Sequence, residues 1–197
     1  MDIRERLREL SAEHHGVIRT SEAEAAGISK AALAGFIREN GFVRASQGIY
    51  CDPEVEPDPF YLLQMRCPRT IFSHDTALFL HHLTDGPPRF LTLTARTGYN
   101  PSRLTREGIK VYTVKDSLFP LGAAECLTPG GNVVRVYDRE RTVCDMVRSR
   151  SSVEGGIFLE VMMRYAGSEQ KDLELLMSYA SELHVERILQ QYLKVLP

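Results

Sequence analysis

The chain has 197 residues, 43% hydrophobic and 25% charged, which argues against wholesale disorder and fits one domain plus a small module. A formal charge of −2, from 24 basic and 26 acidic side chains, excludes a histone-like polycation, so any nucleic-acid contact depends on where the cations sit. There is neither a signal peptide at Met1-Asp2-Ile3-Arg4-Glu5-Arg6 nor an apolar run of ~18 residues, so a soluble, cytoplasmic protein without a membrane partner is expected.

The first 51 residues, with seven basic and seven acidic side chains, carry a legible pattern. Ile3, Leu7 and Leu10 form one stripe of an amphipathic helix over 2–15, which Gly16 stops. Thr20 or Ser21 then caps a short second helix that ends at Gly27. Ser29 caps a third helix to about Asn40, closed by Gly41. Two β-prone runs, 42–45 and 49–51, follow around Ser46-Gln47-Gly48, a hairpin with glycine at its left-handed position.

Three helices and a hairpin, with only Gly27-Ile28 between the second and third helix, is the order of a winged helix-turn-helix. At 100° per residue, Leu33, Phe36 and Ile37 face inward, while Ala31, Ala34, Gly35 and Arg38 face outward. Small residues let such a helix approach base edges, and Arg38 reaches a guanine or a phosphate. Lys30, Arg38 and Arg44 are the candidate positive contacts. Ser29 and Thr20 are candidates for holding backbone phosphates, with Gln47 in the wing. The competing reading is a winged helix that binds protein and not DNA.

Asp52-Pro53-Glu54-Val55-Glu56-Pro57-Asp58-Pro59, with three prolines and four carboxylates, suits neither helix nor central strand and reads as a linker over 52–59. Residues 60–197 read as a mixed α/β domain with a helical C-terminal segment, giving an α+β chain overall. Helices are expected at 60–65, from Ser73 through Leu83, and from Asp138 to about Arg148. Alternating, β-branched strands are expected at 70–72, 89–94, 109–114 and 133–137. Three further helices follow, at 157–165, 171–180 and 185–195.

Chemical motifs are sparse. Cys51, Cys67, Cys126 and Cys144 are scattered without CxxC spacing and read as reduced thiols. Ser73-His74-Asp75 invites a hydrolase reading, but side chains adjacent in sequence diverge, so Ser73 is read as a helix cap. His74 and His81 lie two turns apart, too far for one zinc ion. Asp138, Arg139, Glu140, Arg141 and Asp145 form the densest charged cluster. It reads as a capped helix with a salt-bridge network, and the alternative is a small metal-dependent nuclease or transferase using Glu140 and Asp145. No Gly-rich phosphate loop is present, so neither cofactor nor metal is expected.

Four stretches together resemble the AbiEi family of antitoxins, the transcriptional-regulator half of type IV toxin–antitoxin and abortive-infection systems. They are Gly27-Ile28-Ser29, Gly48-Ile49-Tyr50, Ser73-His74-Asp75-Thr76-Ala77-Leu78 and Asp138-Arg139-Glu140-Arg141-Thr142-Val143-Cys144-Asp145. The resemblance implies a non-enzymatic autorepressor whose winged helix binds inverted repeats upstream of its own operon, as a possible homo-oligomer. It also implies that residues 60–197 counter a nucleotidyltransferase-like toxin, without need of a stable complex. No catalytic residue carries over, and the role of Ser73, His74, Arg139, Glu140, Arg141 and Asp145 is left open. The remaining alternative is a toxin-binding adaptor that does not bind DNA.

Overall fold

A computed structural model describes residues 2–153 and 155–194 as two compact units, the first comprising 2–66 with 129–132 and the second 67–128 with 133–153 and 155–194. In the first unit, α1 (Ile3–Glu13) precedes β1 (Val17–Arg19), α2 (Thr20–Ala25), α3 (Lys30–Glu39), β2 (Val43–Ser46), β3 (Ile49–Cys51) and α4 (Pro59–Arg66). Leu7 and Leu10 of α1 join Ile18, Ala23, Ile28, Leu33 and Phe36 in one buried cluster, whereas Ile3 stays 49% exposed at the start of the helix. The turn between α2 and α3 runs through Gly27 at φ 78, where the left-handed backbone suits glycine, and Ile28 drops into the core.

Two features of this unit were not legible in advance. Val17–Arg19 adds a third strand to the hairpin, giving an antiparallel sheet in the order β1-β3-β2 with Val17 opposite Cys51 and Arg19 opposite Ile49. Because β1 runs straight into α2, Arg19 takes the N-cap position and Thr20 becomes the first helical residue, so neither Thr20 nor Ser21 caps. The compact unit also extends past the Pro/acidic segment. Tyr61, Leu62 and Met65 of α4 pack on Val17, Ile49 and Cys51, and Asn132 donates from Nδ2 to Asp58 Oδ2 at 2.9 Å. The units therefore part near residue 66, later in the chain than the linker composition points to.

The second unit contains β4 (Ile71–Phe72), α5 (His74–Leu80), β5 (Thr92–Arg96), α6 (Ser102–Arg106), β6 (Lys110–Val114), β7 (Ala123–Leu127), β8 (Val133–Tyr137), α7 (Arg139–Arg148), α8 (Gly155–Gly167), α9 (Leu173–Glu182) and α10 (Glu186–Leu193). The strands form a mixed sheet, β6-β5-β4-β8-β7, in which β4 and β8 are parallel, as are β5 and β6. Strand β7 and helix α6 are additions to the expected elements. Helix α5 ends at Leu80, because His82 turns into the left-handed region at φ 59. The last expected helix, 185–195, is described only to residue 194. No helix among the described residues is long and apolar enough to cross a membrane.

Helix α7 organises this unit. Every residue from Glu140 to Val147 is buried, although five of the ten residues in RERTVCDMVR are charged. Val143, Cys144, Met146 and Val147 pack against Leu78 of α5, Phe158, Val161, Met162 and Tyr165 of α8, Leu176 and Ala180 of α9, and Leu189 of α10. Arg141, fully buried, is held at Nε and Nη1, while its Nη2 has no hydrogen-bond partner among the described residues. Arg141 donates from Nε to Asp145 Oδ2 (3.0 Å) and from Nη1 to the carbonyls of Leu118 (2.8 Å) and Leu121 (2.7 Å), with its guanidinium 4.2 Å from the Tyr137 ring centroid. Gly122, at φ 73, is required there, because a Cβ would lie 2.5 Å from Cβ of Arg141. Arg141→Ala leaves the Asp145 carboxylate buried without this partner. It should cost about 3–5 kcal/mol in urea unfolding, and Arg141→Met with Asp145→Leu should recover most of that loss.

Candidate nucleic-acid interface

Helix α3 is two-faced. Leu33 and Phe36 are buried and Ile37 half-buried, while Ala31, Ala34 and Arg38 are exposed and Gly35 is half-exposed. Ser29 caps the helix, its Oγ accepting from the Ala32 amide at 3.2 Å, which leaves the hydroxyl proton free to donate outward. Lys30 lies 3.3 Å from Glu24 yet keeps its side chain 82% exposed. The Arg38 side chain makes no hydrogen bond or ion pair among the described residues.

The hairpin carries the other two candidates. Arg44 is exposed on β2, its Nε donating to the Ser46 carbonyl at 3.3 Å, and Gln47 is exposed in the turn beside Gly48, at φ 72. Thr20 is half-buried, and its amide donates to the Gly48 carbonyl at 2.8 Å. It therefore ties α2 to the hairpin instead of standing clear at a helix end. The first unit thus brings Ser29, Lys30, Arg38, Arg44 and Gln47 to its surface and holds Thr20 half inside.

The motif residues of the second unit are drawn inward. Ser73 stands at the N-cap position of α5 but does not cap with its side chain. Its Oγ accepts from Thr94 Oγ1 at 2.8 Å and lies 3.0 Å from His74 Nδ1. Adjacent side chains were expected to diverge; here they meet because His74 adopts φ 46, which swings the ring back. The ring stacks on Tyr112, with centroids 3.6 Å apart. Thr92 accepts at Oγ1 from the Thr76 amide and donates from Oγ1 to the Ser73 carbonyl, which closes a buried hydroxyl network. Ser73 is fully buried, so the Ser–His pair has no opening to a substrate.

The carboxylates of the charged cluster diverge. Glu140 Oε1 accepts from the Tyr165 hydroxyl (3.0 Å) and the Asp172 amide (3.1 Å). Asp138 caps α7 through the Arg141 amide and accepts from the Tyr179 hydroxyl at 3.1 Å. Asp145 faces Arg141 and, at 3.6 Å, Arg148. Arg139 reaches Ser168 Oγ at 3.4 Å. Among the described residues no three His, Cys, Asp or Glu side chains could hold a metal ion, and the nuclease reading has no converging acid pair to use. The cysteines are free, and burial pushes the thiols of Cys144 and Cys126 up to about 12 and about 11.

Residues 5–51 match the AbiEi antitoxin family of transcriptional regulators. The AbiEi match covers both helices flanking Gly27 and the hairpin, and stops before the Ser73 and Asp138 motifs. That family is regulatory and not enzymatic. The RV2827C protein from Mycobacterium tuberculosis, known from a crystal structure, superposes with a TM-score of 0.56 at 12% identity, over 97% of this chain and 70% of that one. At that identity the likeness is one of fold, and it extends beyond the AbiEi-matched region. No curated protein matches the chain.

Thr92, Thr94 and Tyr112 had no local signal, since each meets Ser73 or His74 only through sheet pairing. Burial is the main cause that holds both His74 and His81 below the ordinary histidine range. Unfolding returns both to about 6.5, so the unfolded chain binds more protons below that pH and stability falls as pH drops from 7 towards 5. Urea midpoints at pH 7 and pH 5 should differ less in His74→Asn with His81→Gln; an unchanged difference would show that these rings bind protons equally well folded and unfolded.

Proposed function

We propose that the first unit is a winged helix-turn-helix that binds operator DNA, with α3 in the major groove and the β2–β3 hairpin as the wing. The chain then acts as the autorepressor and antitoxin of a type IV toxin–antitoxin pair. One observation carries the reading: α3 presents an exposed face of small residues ending in an unpaired Arg38, on the same unit as exposed Arg44 and Gln47. The match of residues 5–51 to AbiEi regulators supports it independently. In this reading Arg38 contacts a base edge or phosphate, Lys30 and Arg44 neutralise phosphates, and the Ser29 hydroxyl donates to the backbone. Thr20 contributes by anchoring α2 to the wing. Near-neutral charge makes these few cations decisive, because duplex affinity at physiological salt rests largely on phosphate neutralisation.

Gel-shift titration of the chain on its own upstream region tests this. Arg38→Ala with Arg44→Ala should abolish the shift, and each variant alone should lower the slope of log affinity against log salt by about 0.9 per lost phosphate contact. Unchanged binding would remove both side chains from the interface.

The antitoxin half we assign to the second unit, acting in the cytoplasm on a nucleotidyltransferase-like toxin, with no chemistry of its own. A second reading, direct toxin contact through the helical C-terminal segment, is favoured by Leu159 and Met163, one turn apart on α8 and 53% and 51% exposed. Leu159→Glu with Met163→Glu should then end co-purification with the product of the adjacent gene while leaving the promoter shift intact. Equal recovery of that product would exclude α8 as the contact.

A further inference from the structure

Charge is unevenly spread over the second unit. Between Arg89 and Lys115 the chain carries Arg89, Arg96, Arg103, Arg106, Lys110 and Lys115 against a single carboxylate, Glu107, in a protein of net charge −2. All six cations are exposed. Arg103 is paired with Glu107 and Arg96 with Asp116, each at 3.3 Å, whereas Arg89, Arg106, Lys110 and Lys115 have no carboxylate partner among the described residues. This stretch forms β5, α6 and β6, and β6 is the edge of its sheet, with one row of backbone groups open.

An aromatic ring sits among these cations. Phe90 is 39% exposed, with the Arg89 guanidinium 5.3 Å and the Lys110 ammonium 5.6 Å from its centroid. With Thr105, Ile109 and Tyr112 it lines an open groove of about 440 Å³. An apolar small ligand has no use for the cations, and a duplex hides the faces of its bases. An exposed ring flanked by unpaired cations fits a strand whose bases are unstacked and whose phosphates lie alongside.

We propose that this edge binds single-stranded nucleic acid, with a base stacked on Phe90 and the adjoining phosphates neutralised by Arg89 and Lys110. Arg106, next to the groove-lining Thr105 on α6, adds a further exposed cation. The site uses no residue of the first unit and stands whether or not that unit binds duplex DNA.

Fluorescence anisotropy of the full chain with labelled oligo-U and oligo-dT, each of roughly 12 nucleotides, tests the assignment. Phe90→Ala with Lys110→Ala should weaken binding about tenfold or more, and Phe90→Leu, which keeps every charge, should weaken it by about fivefold or more. Arg38→Ala with Arg44→Ala should leave it unchanged. Matched melting temperatures would show that these surface variants fold. Either oligonucleotide binding in this pattern supports the site, and a preference for oligo-U that oligo-dU does not share would mark a contact to the 2′-hydroxyl. The proposal is overturned if the native chain binds neither oligonucleotide, if Phe90→Leu binds like the native chain, or if binding is lost only with Arg38 and Arg44. Capture of a polyglutamate peptide without either oligonucleotide would make the edge a peptide site and also overturn it.

Discussion

A guanidinium withdrawn completely from water must be given acceptors and a counter-charge, and the second unit is arranged around meeting that demand for Arg141. The carbonyls of Leu118 and Leu121 turn inward to accept from it, Asp145 supplies the opposite charge one helical turn on, and Gly122 vacates the space its stem occupies. The same helix places Glu140 under the Tyr165 hydroxyl and the Asp172 amide, which couples α8 and α9 to it. Ion pairs of this kind are poor sources of net stability but unforgiving of alternatives, since any other docking of α7 strands a buried charge. That explains how a helix this polar can be the centre of a core.

The charged cluster and the serine–histidine pair therefore share a physical character. In each, groups that would be reactive if exposed are held by partners inside the fold. Ser73 and His74 are enclosed by Thr92, Thr94 and Tyr112, and the acidic residues of α7 each answer a different donor. A site for chemistry needs convergence on a common point and a route for a substrate; both clusters diverge or are closed. Exposed cations, several of them without a carboxylate partner among the described residues, stand instead on α3 and the hairpin in one unit and along β5 and β6 in the other.

Much of the first unit was readable from the chain because its determinants are local. The Leu7 and Leu10 stripe, the Ser29 cap, Gly27 and the Ser46-Gln47-Gly48 turn each specify their own neighbourhood within a few residues. The failures there were tertiary: β1 exists only because Val17–Arg19 finds β3 some thirty residues later, and its presence removes the need for a cap at Thr20. Proline and acidic composition at 52–59 correctly marked irregular backbone, but Asp58 and α4 pack back on the same core.

By itself the sequence determined most of the helices and strands, though not β1, α6 or β7, and with them the order of helices and hairpin in residues 1–51 and the outward set of Arg38, Arg44 and Gln47, since periodicity and turn chemistry act over one or two turns. Only the tertiary structure decided that β4 lies between β5 and β8, that RERTVCDMVR is a buried helix, and that His74 meets Ser73. Those outcomes depend on partners twenty or more residues away, and no local pattern records which distant carbonyl or hydroxyl will satisfy a buried polar group.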